Sequence, residues 1–442
     1  MRACFTGCTL RSEEKENTMK IRIRIQRRAS LENILMTMAL FFVSSYALLE
    51  HVSISIPFFS GLKFPMVYMG GIFMIPYMFK ILSSLRKKKF FYPFLLTLLM
   101  FAFLALSAYF NRNTMYGQSP MRVTLRFVLY WMELFLLMVW VAETGRGSFV
   151  IRFLFWYTLI LVAATDFLLL TKLMVFRNGS HETYLVGNKF TVAYLHMDLL
   201  ALWFVKHDGR FLFWQKSKVL AILLASIVIL VSVYVDCMTG LLGCIVLIWL
   251  FASMDTPVQT KLLRLNSPGL LSLVLLLSLI FPFVSQSIVS IPAVEAFLNN
   301  VLGRSNTLTG RINIFEAFVR RMEDNWLWGY GFGNGNVIAQ AIFGYANAQN
   351  AILNWVLQAG VFATGSLLGL IVMVFRQLSK AEESVRFMPL VALIYVYVVM
   401  GAVETTFSMA FLMWIAVLFM LINETRESDD DESEETEENE EE

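Results

Sequence analysis

Long apolar runs separated by short polar connections set the pattern of this chain. Runs of about 15 to 24 residues recur at about 31 to 50, 63 to 82, 90 to 108, 123 to 143, 151 to 171, 187 to 205, 219 to 235, 241 to 255, 269 to 285, 351 to 374, 387 to 402 and 407 to 422. A helix needs roughly 20 apolar residues to cross the hydrocarbon layer of a bilayer. The pattern therefore predicts an all-α integral membrane protein of about twelve transmembrane helices. The two runs beginning at Val219 and Leu241 are short and predict shallow or tilted helices.

One connection breaks the pattern. Gln286 to Asn350 forms a polar, glycine-dotted stretch of 65 residues with four arginines, four acids and no lysine. A long loop without a fold of its own is uncommon unless it serves a function. The predicted organisation is a basic N-terminal segment (1–30), nine membrane helices (31–285), one large loop containing short helices (286–350), three more helices (351–422) and an acidic tail (423–442).

Composition agrees with the periodicity. Of 442 residues, 57% are hydrophobic and 14% aromatic, which excludes an ordinary soluble domain and gives no reason to expect a nucleic-acid partner. The net charge of +3 hides an asymmetry, because Glu427 to Glu442 hold 12 acids in 16 residues. The chain before that tail carries 36 basic against 21 acidic side chains. The low complexity of the acidic tail predicts a disordered cytoplasmic appendage. MRACFTGCTLRSEEKENT lacks the apolar core of a cleavable signal and the next segment, MKIRIRIQRR, is strongly basic, so the first apolar run is expected to remain as an anchor.

Lysine and arginine placement orients the helices. The N-terminus, Arg86 to Lys89, Lys206 to Lys218, Lys261 with Arg264, and Arg376 to Arg386 fall on one side, the cytoplasmic side by the positive-inside rule. Both termini are then expected inside and the long loop outside. Four histidines and four cysteines show no metal-ligand spacing. No cofactor and no metal are expected.

Arginines on the outer side run against that charge bias and call for a reason. Arg122, Arg126, Tyr130 and Glu133 fall within about 80° of arc on one helix face at 100° per residue. This polar stripe reads either as the cationic entrance for a lipid-borne anion or as an Arg126 to Glu133 structural pair. Within the long loop, Thr309-Gly310 precedes a predicted helix over RINIFEAFVRRM. Its apolar side is read as Ile312, Phe315, Phe318, Val319 and Met322, with Arg311 at its head and Arg320 set to pair with Glu316. Arg304 is a further loop cation. GYGFGNG (Gly329 to Gly335) fits an anion nest or a plain hinge. Among outward acids, Asp236 and Glu404 stand at short hairpin turns and are candidate general bases, although either equally suits a helix cap or an arginine partner. His196 and Asp198, two apart on one helix, read as interhelical packing.

TGR at Thr309 to Arg311, WGYGFG at Trp328 to Gly333 and AQNAILNWVLQAG at Ala348 to Gly360, in that order after many membrane helices, resemble the O-antigen polymerase and ligase superfamily. Asn350 and Gly360 match its last motif, whereas Gln349 stands where that family has histidine. The resemblance implies a bacterial inner-membrane glycosyltransferase of the polymerase type. Such an enzyme joins polyprenyl-pyrophosphate-linked repeat units for a capsule, exopolysaccharide or O-antigen, among membrane lipids and other polysaccharide-assembly proteins. It further implies that Arg122, Arg126, Arg304 and Arg311 grip the pyrophosphate and that Gln349 and Asn350 meet substrate. Glutamine cannot serve as the base, which favours polymerase over ligase. A lipid-linked oligosaccharide flippase is the rival from another class.

Overall fold

The computed structural model describes residues 31–49, 57–113, 117–172, 176–178, 181–207, 218–253, 264–294, 296, 311–323, 325–344, 347–381 and 384–424. Each predicted apolar run is helical there. The elements are α1 (Leu31–Leu48), α2 (Pro57–Met74), running through a short 3₁₀ turn into α3 (Met78–Ser84), α4 (Lys88–Phe110), α5 (Pro120–Glu143), α6 (Gly147–Thr171), α7 (Lys189–Lys206), α8 (Lys218–Tyr234), α9 (Met238–Ser253) and α10 (Pro268–Val289). Two short helices of the long connection follow, α11 (Arg311–Met322) and α12 (Gly335–Phe343), then α13 (Ala351–Leu378), α14 (Ser384–Met400) and α15 (Met409–Ile422). Two three-residue strands, β1 (Phe176–Asn178) and β2 (His181–Thr183), pair antiparallel between α6 and α7.

Seven of these helical stretches are long and apolar enough to cross a membrane, the longest being Ala351–Leu378. α8, α9 and α15 are apolar but shorter, as is the Arg386–Met400 stretch of α14. α7 carries Lys189, Asp198 and Lys206 within its 18 residues. α7 and α15 are buried along most of their length, and a helix that is apolar nearly all round belongs inside a bundle. α13 packs along α4, while α7 packs against α6, α8 and α14.

Local chemistry fixes the helix ends. Asn188 caps α7 by accepting from the amides of Phe190 and Thr191, and Ser408 caps α15 through the Phe411 amide. Pro120 occupies the first turn of α5, where its missing N–H costs nothing.

The two poles differ in chemistry. At one, Lys87 and Lys89 pair with Glu143, the latter at 3.4 Å, and Arg146 pairs with Glu32 at 2.9 Å. Glu424 accepts from the Gly147 amide at 2.6 Å, and Lys89 Nζ donates to the Asn423 carbonyl at 2.9 Å. This charged pole gathers basic segments that the sequence assigns to one side. The opposite pole carries α11, α12 and the glycine-rich loop.

α11 begins at Arg311, directly after Thr309-Gly310. Its buried side holds Ile314, Phe315, Phe318 and Met322, packed with Ile338 and Ala339 of α12 and Leu353, Val356 and Leu357 of α13. Val319 is instead 38% exposed, because Ile314 takes the place on the inner face that the sequence reading gave it. Arg320 does pair with Glu316, at 3.3 Å across two exposed side chains.

Candidate functional site

The glycine-rich pole is organised around a break in α13. Gly360 has φ 77° and ψ 175° within an otherwise helical run, a conformation open essentially to glycine alone. The break frees carbonyls that a continuous helix would bond internally. Tyr330 N donates to Leu357 O at 2.8 Å, Gly331 N to Gln358 O at 3.0 Å, and Val361 N to Trp326 O at 2.9 Å. The tryptophan and glycine segment therefore docks on the interrupted helix through backbone hydrogen bonds.

Close approach dictates the glycines. A Cβ at Gly360 would stand 2.0 Å from the Leu327 carbonyl oxygen, and one at Gly333 would stand 2.0 Å from Val123 Cγ1 on α5. The Gly333 amide donates to Gln358 Oε1 at 2.9 Å. With the amides of Gly329, Tyr330, Gly331 and Gly333 all bonded within the protein, this run is neither the anion nest nor the free hinge that its composition allows. It is a clamp between α5 and α13.

α4 and the segment before α5 complete the clamp. Ser107 donates to the Trp328 carbonyl, and Asn111 Nδ2 donates to the Gly329 carbonyl at 3.1 Å. Asn334 Oδ1 accepts from Gln118 N at 3.0 Å while its amide donates back to the Gln118 carbonyl. Gln118 Oε1 accepts from Arg126 Nη1 at 3.2 Å. Arg126 is thus oriented by the residue that locks the loop to α5.

The polar stripe on α5 descends into the bundle as its spacing requires. Arg122 is exposed, Arg126 half-buried and Tyr130 fully buried. Glu133 does not reach back to Arg126. Its carboxylate lies on α2, so close that a Cβ on Gly70 would be 2.8 Å from Oε2 and one on Gly71 2.8 Å from Oε1. Oε2 is buried without a hydrogen-bond partner. The pairing of Arg126 with Glu133 is therefore replaced by a contact between α5 and a glycine ledge on α2.

Asn350 is a structural node. It is fully buried, and its Oδ1 caps α13 through the Leu353 amide at 2.9 Å. Its Nδ2 donates to Ser278 O at 2.8 Å and Ala402 O at 3.2 Å. Both amide hydrogens are spent inside the protein, so Asn350 ties α10, α13 and the turn after α14 together instead of offering a donor to substrate. Gln349 is half-buried with φ 49°, and its Nε2 donates to Asn347 Oδ1 at 2.7 Å.

The two candidate bases lie at the same pole. Asp236 has φ 51° in the turn between α8 and α9, a strained setting for a non-glycine residue. Lys189 Nζ donates to its carbonyl at 2.8 Å and stands 3.5 Å from its carboxylate, which remains 69% exposed. Glu404 is buried in the turn after α14. Burial, reinforced by the nearby Glu404 and Asp236 carboxylates, pushes the intervening Cys237 thiol up to about 11. Asp236, Glu404 and Lys189 thus share one electrostatic neighbourhood.

An aromatic bridge joins that neighbourhood to the arginine stripe. Phe127, next to Arg126, lies 4.8 Å from Phe332 and 5.7 Å from Trp355, whose indole donates to the Phe407 carbonyl at 3.2 Å. Arg304 lies outside the described residues, and Arg311 is placed as the first residue of α11.

No family model, curated protein or solved structure aligns with the chain at a significant level. The likeness to O-antigen polymerases therefore rests on its short ordered motifs.

The sequence reading missed the helix break, the role of Gln118 and Gln358, and the glycine ledge under Glu133. Gly360 carried a signal, since a glycine inside a long apolar run either weakens a helix or marks a break. Gln118 and Gln358 carried none, as their partners lie far away in sequence.

Proposed function

We propose that this chain is a polytopic membrane glycosyltransferase that joins polyprenyl-pyrophosphate-linked glycan units. In this reading all twelve apolar helices cross a bacterial inner membrane, with both termini cytoplasmic and the glycine-rich pole outside. The observation that carries it is the arginine stripe of α5, held by Gln118 beneath a loop clamped to the broken helix α13. A long connection tied this firmly to the bundle, beside the half-buried Arg126, suits an anionic lipid headgroup better than it suits a passive linker.

The chemistry needs few parts. A hydroxyl of the acceptor sugar attacks the anomeric carbon of the donor, the bond from that carbon to the pyrophosphate oxygen breaks, and the lipid pyrophosphate leaves with the bonding electrons. Arg122, Arg126, Arg304 and Arg311 supply fixed positive charge to the departing oxygens through planar, bidentate contacts. In a water-poor site such preorganised charge supplies much of the rate. Asp236, exposed and positioned by Lys189, is the better placed base for the hydroxyl proton. Glu404 is the second candidate, from within the turn that Asn350 secures. Gln349 serves substrate by hydrogen bonding only.

The test is product analysis with purified protein and lipid-linked repeat units. A ladder of longer glycans supports a polymerase, and transfer of one glycan to a separate acceptor supports the ligase of the same superfamily. Glycan units that cross the bilayer without a new covalent bond overturn the enzyme reading in favour of a transporter.

A further inference from the structure

A pair of titratable side chains inside the helices takes no part in the proposed site. Asp166 lies on α6, about 7.5 Å along the axis from its end at Thr171 at the usual rise per residue. His196 lies on α7, and the side chains of His196 and Asp166 are 1% and 24% exposed. His196 Nδ1 stands 2.8 Å from the Val192 carbonyl oxygen. Its Nε2 stands 3.1 Å and 3.3 Å from the two oxygens of Asp166.

Taken as hydrogen bonds, these contacts constrain where the hydrogens lie. A carbonyl oxygen only accepts, so Nδ1 must carry hydrogen. A carboxylate also only accepts, so either Nε2 carries hydrogen as well or a carboxylic acid donates into it. Both arrangements contain one proton more than a neutral imidazole beside a carboxylate. Both also leave the pair with no net charge, the condition under which ionisable side chains are tolerated among apolar helices.

Several other ionisable groups on α7 and on the elements packed against it have contacts of their own. Tyr397 of α14 donates to Asp198 at 2.8 Å, Tyr157 of α6 bonds Ser45 at 2.7 Å, and Cys244 of α9 lies 3.5 Å from Ser232 of α8. Tyr395 of α14 packs on Phe375, Tyr194 of α7 packs on Tyr397, and Lys206 at the far end of α7 sits over Phe155 and Trp156. Lys189 begins α7 beside Asp236. Among the described residues, Asp166 is the one acid bonded to His196.

We propose that Asp166 and His196 form a proton-binding site within the helical bundle, with one proton held at the contact between Nε2 and the carboxylate. Holding that proton makes or breaks no other bond. The site is a ready element for a proton-linked step. It does not rest on the glycan-joining reading.

The test reads the proton directly. The full chain carrying His51→Gln, His181→Gln and His207→Gln, leaving His196 as the sole histidine, is labelled with ¹⁵N-histidine and placed in lipid nanodiscs at pH 7. The expected result is two N–H-type ring nitrogens, with one of the two lost on Asp166→Asn because the amide then donates to a bare Nε2. One bare ring nitrogen together with a protonated Asp166 carboxyl band in the infrared also supports the site. Should Asp166→Asn fail to fold, ¹³C-aspartate labelling of the parent protein reads the same carboxyl. A bare ring nitrogen beside an ionised Asp166 carboxylate overturns the proposal.

Discussion

Replacing Gly360 with alanine tests whether the helix break holds the candidate site together. The new methyl group would stand 2.0 Å from the Leu327 carbonyl oxygen, so the loop must move or α13 must straighten. Either response disrupts the bonds from Tyr330 N to Leu357 O, Gly331 N to Gln358 O and Val361 N to Trp326 O. At about 0.5 to 1.5 kcal/mol for each net hydrogen bond, their loss costs about 1.5 to 4.5 kcal/mol. Forcing alanine to φ 77° adds about 1 to 3 kcal/mol where the backbone does not relax. The expected destabilisation is therefore about 2.5 to 7.5 kcal/mol where both terms apply, measured by reversible unfolding in mixed micelles, with faster chymotrypsin cleavage between Trp326 and Tyr330. Gly365→Ala and Gly369→Ala are internal controls, because a Cβ at either meets nothing within 4 Å. Alanine there is expected to be neutral or stabilising by up to about 1 kcal/mol. If Gly360→Ala is as mild as these two and the loop stays protected, the break does not organise the pole.

Three further outcomes are expected. Arg126→Lys or Arg311→Lys should each cost roughly 2 to 4 kcal/mol of transition-state energy, on the order of 10²- to 10³-fold in turnover, measured as chain elongation by folded variants. The losses from Arg126→Ala and Glu133→Ala should add, because Glu133 rests on Gly70 and Gly71; recovery of activity in the double variant contradicts a pyrophosphate role for Arg126. Asn350→Ala should destabilise by about 2 to 5 kcal/mol, since it removes a helix cap and orphans two buried carbonyls; unfolding at the wild-type midpoint counts against its place as a node. With its thiol pushed up to about 11, Cys237 should resist maleimide at pH 7 and label about tenfold faster for each unit of pH until it titrates, so rapid labelling at pH 7 shows that the turn between α8 and α9 is not packed.

Which parts were legible in the sequence follows from the range of each force. Helix positions were readable because a helix that meets lipid or core writes its own apolar run. The run at 187 to 205 became Lys189–Lys206, and the loop helix begins at Arg311. The Arg320 to Glu316 pair was readable for the same reason, being four residues apart. Contacts across the fold left no local mark. Arg126 and Glu133 share a helix face, yet the carboxylate goes to α2, whose adjacent glycines only gain meaning once the two helices touch. The GYGFGNG run shows the same limit, since its composition allowed a nest or a hinge and a break 25 residues later decided that its amides would be spent on α13. His196 and Asp198 were read as interhelical, and they are, with partners on α6 and α14 that only the fold names.

We propose that this chain makes glycosidic bonds at the expense of a lipid pyrophosphate. Counting both products in one reaction tests it most directly, using purified protein reconstituted with lipid-linked repeat units and no added nucleotide sugar. The account predicts one polyprenyl pyrophosphate released for every glycosidic bond formed, and strong suppression of both together by Arg126→Lys. Lipid-linked units recovered intact, with the folded protein present and no pyrophosphate lipid released, contradict it.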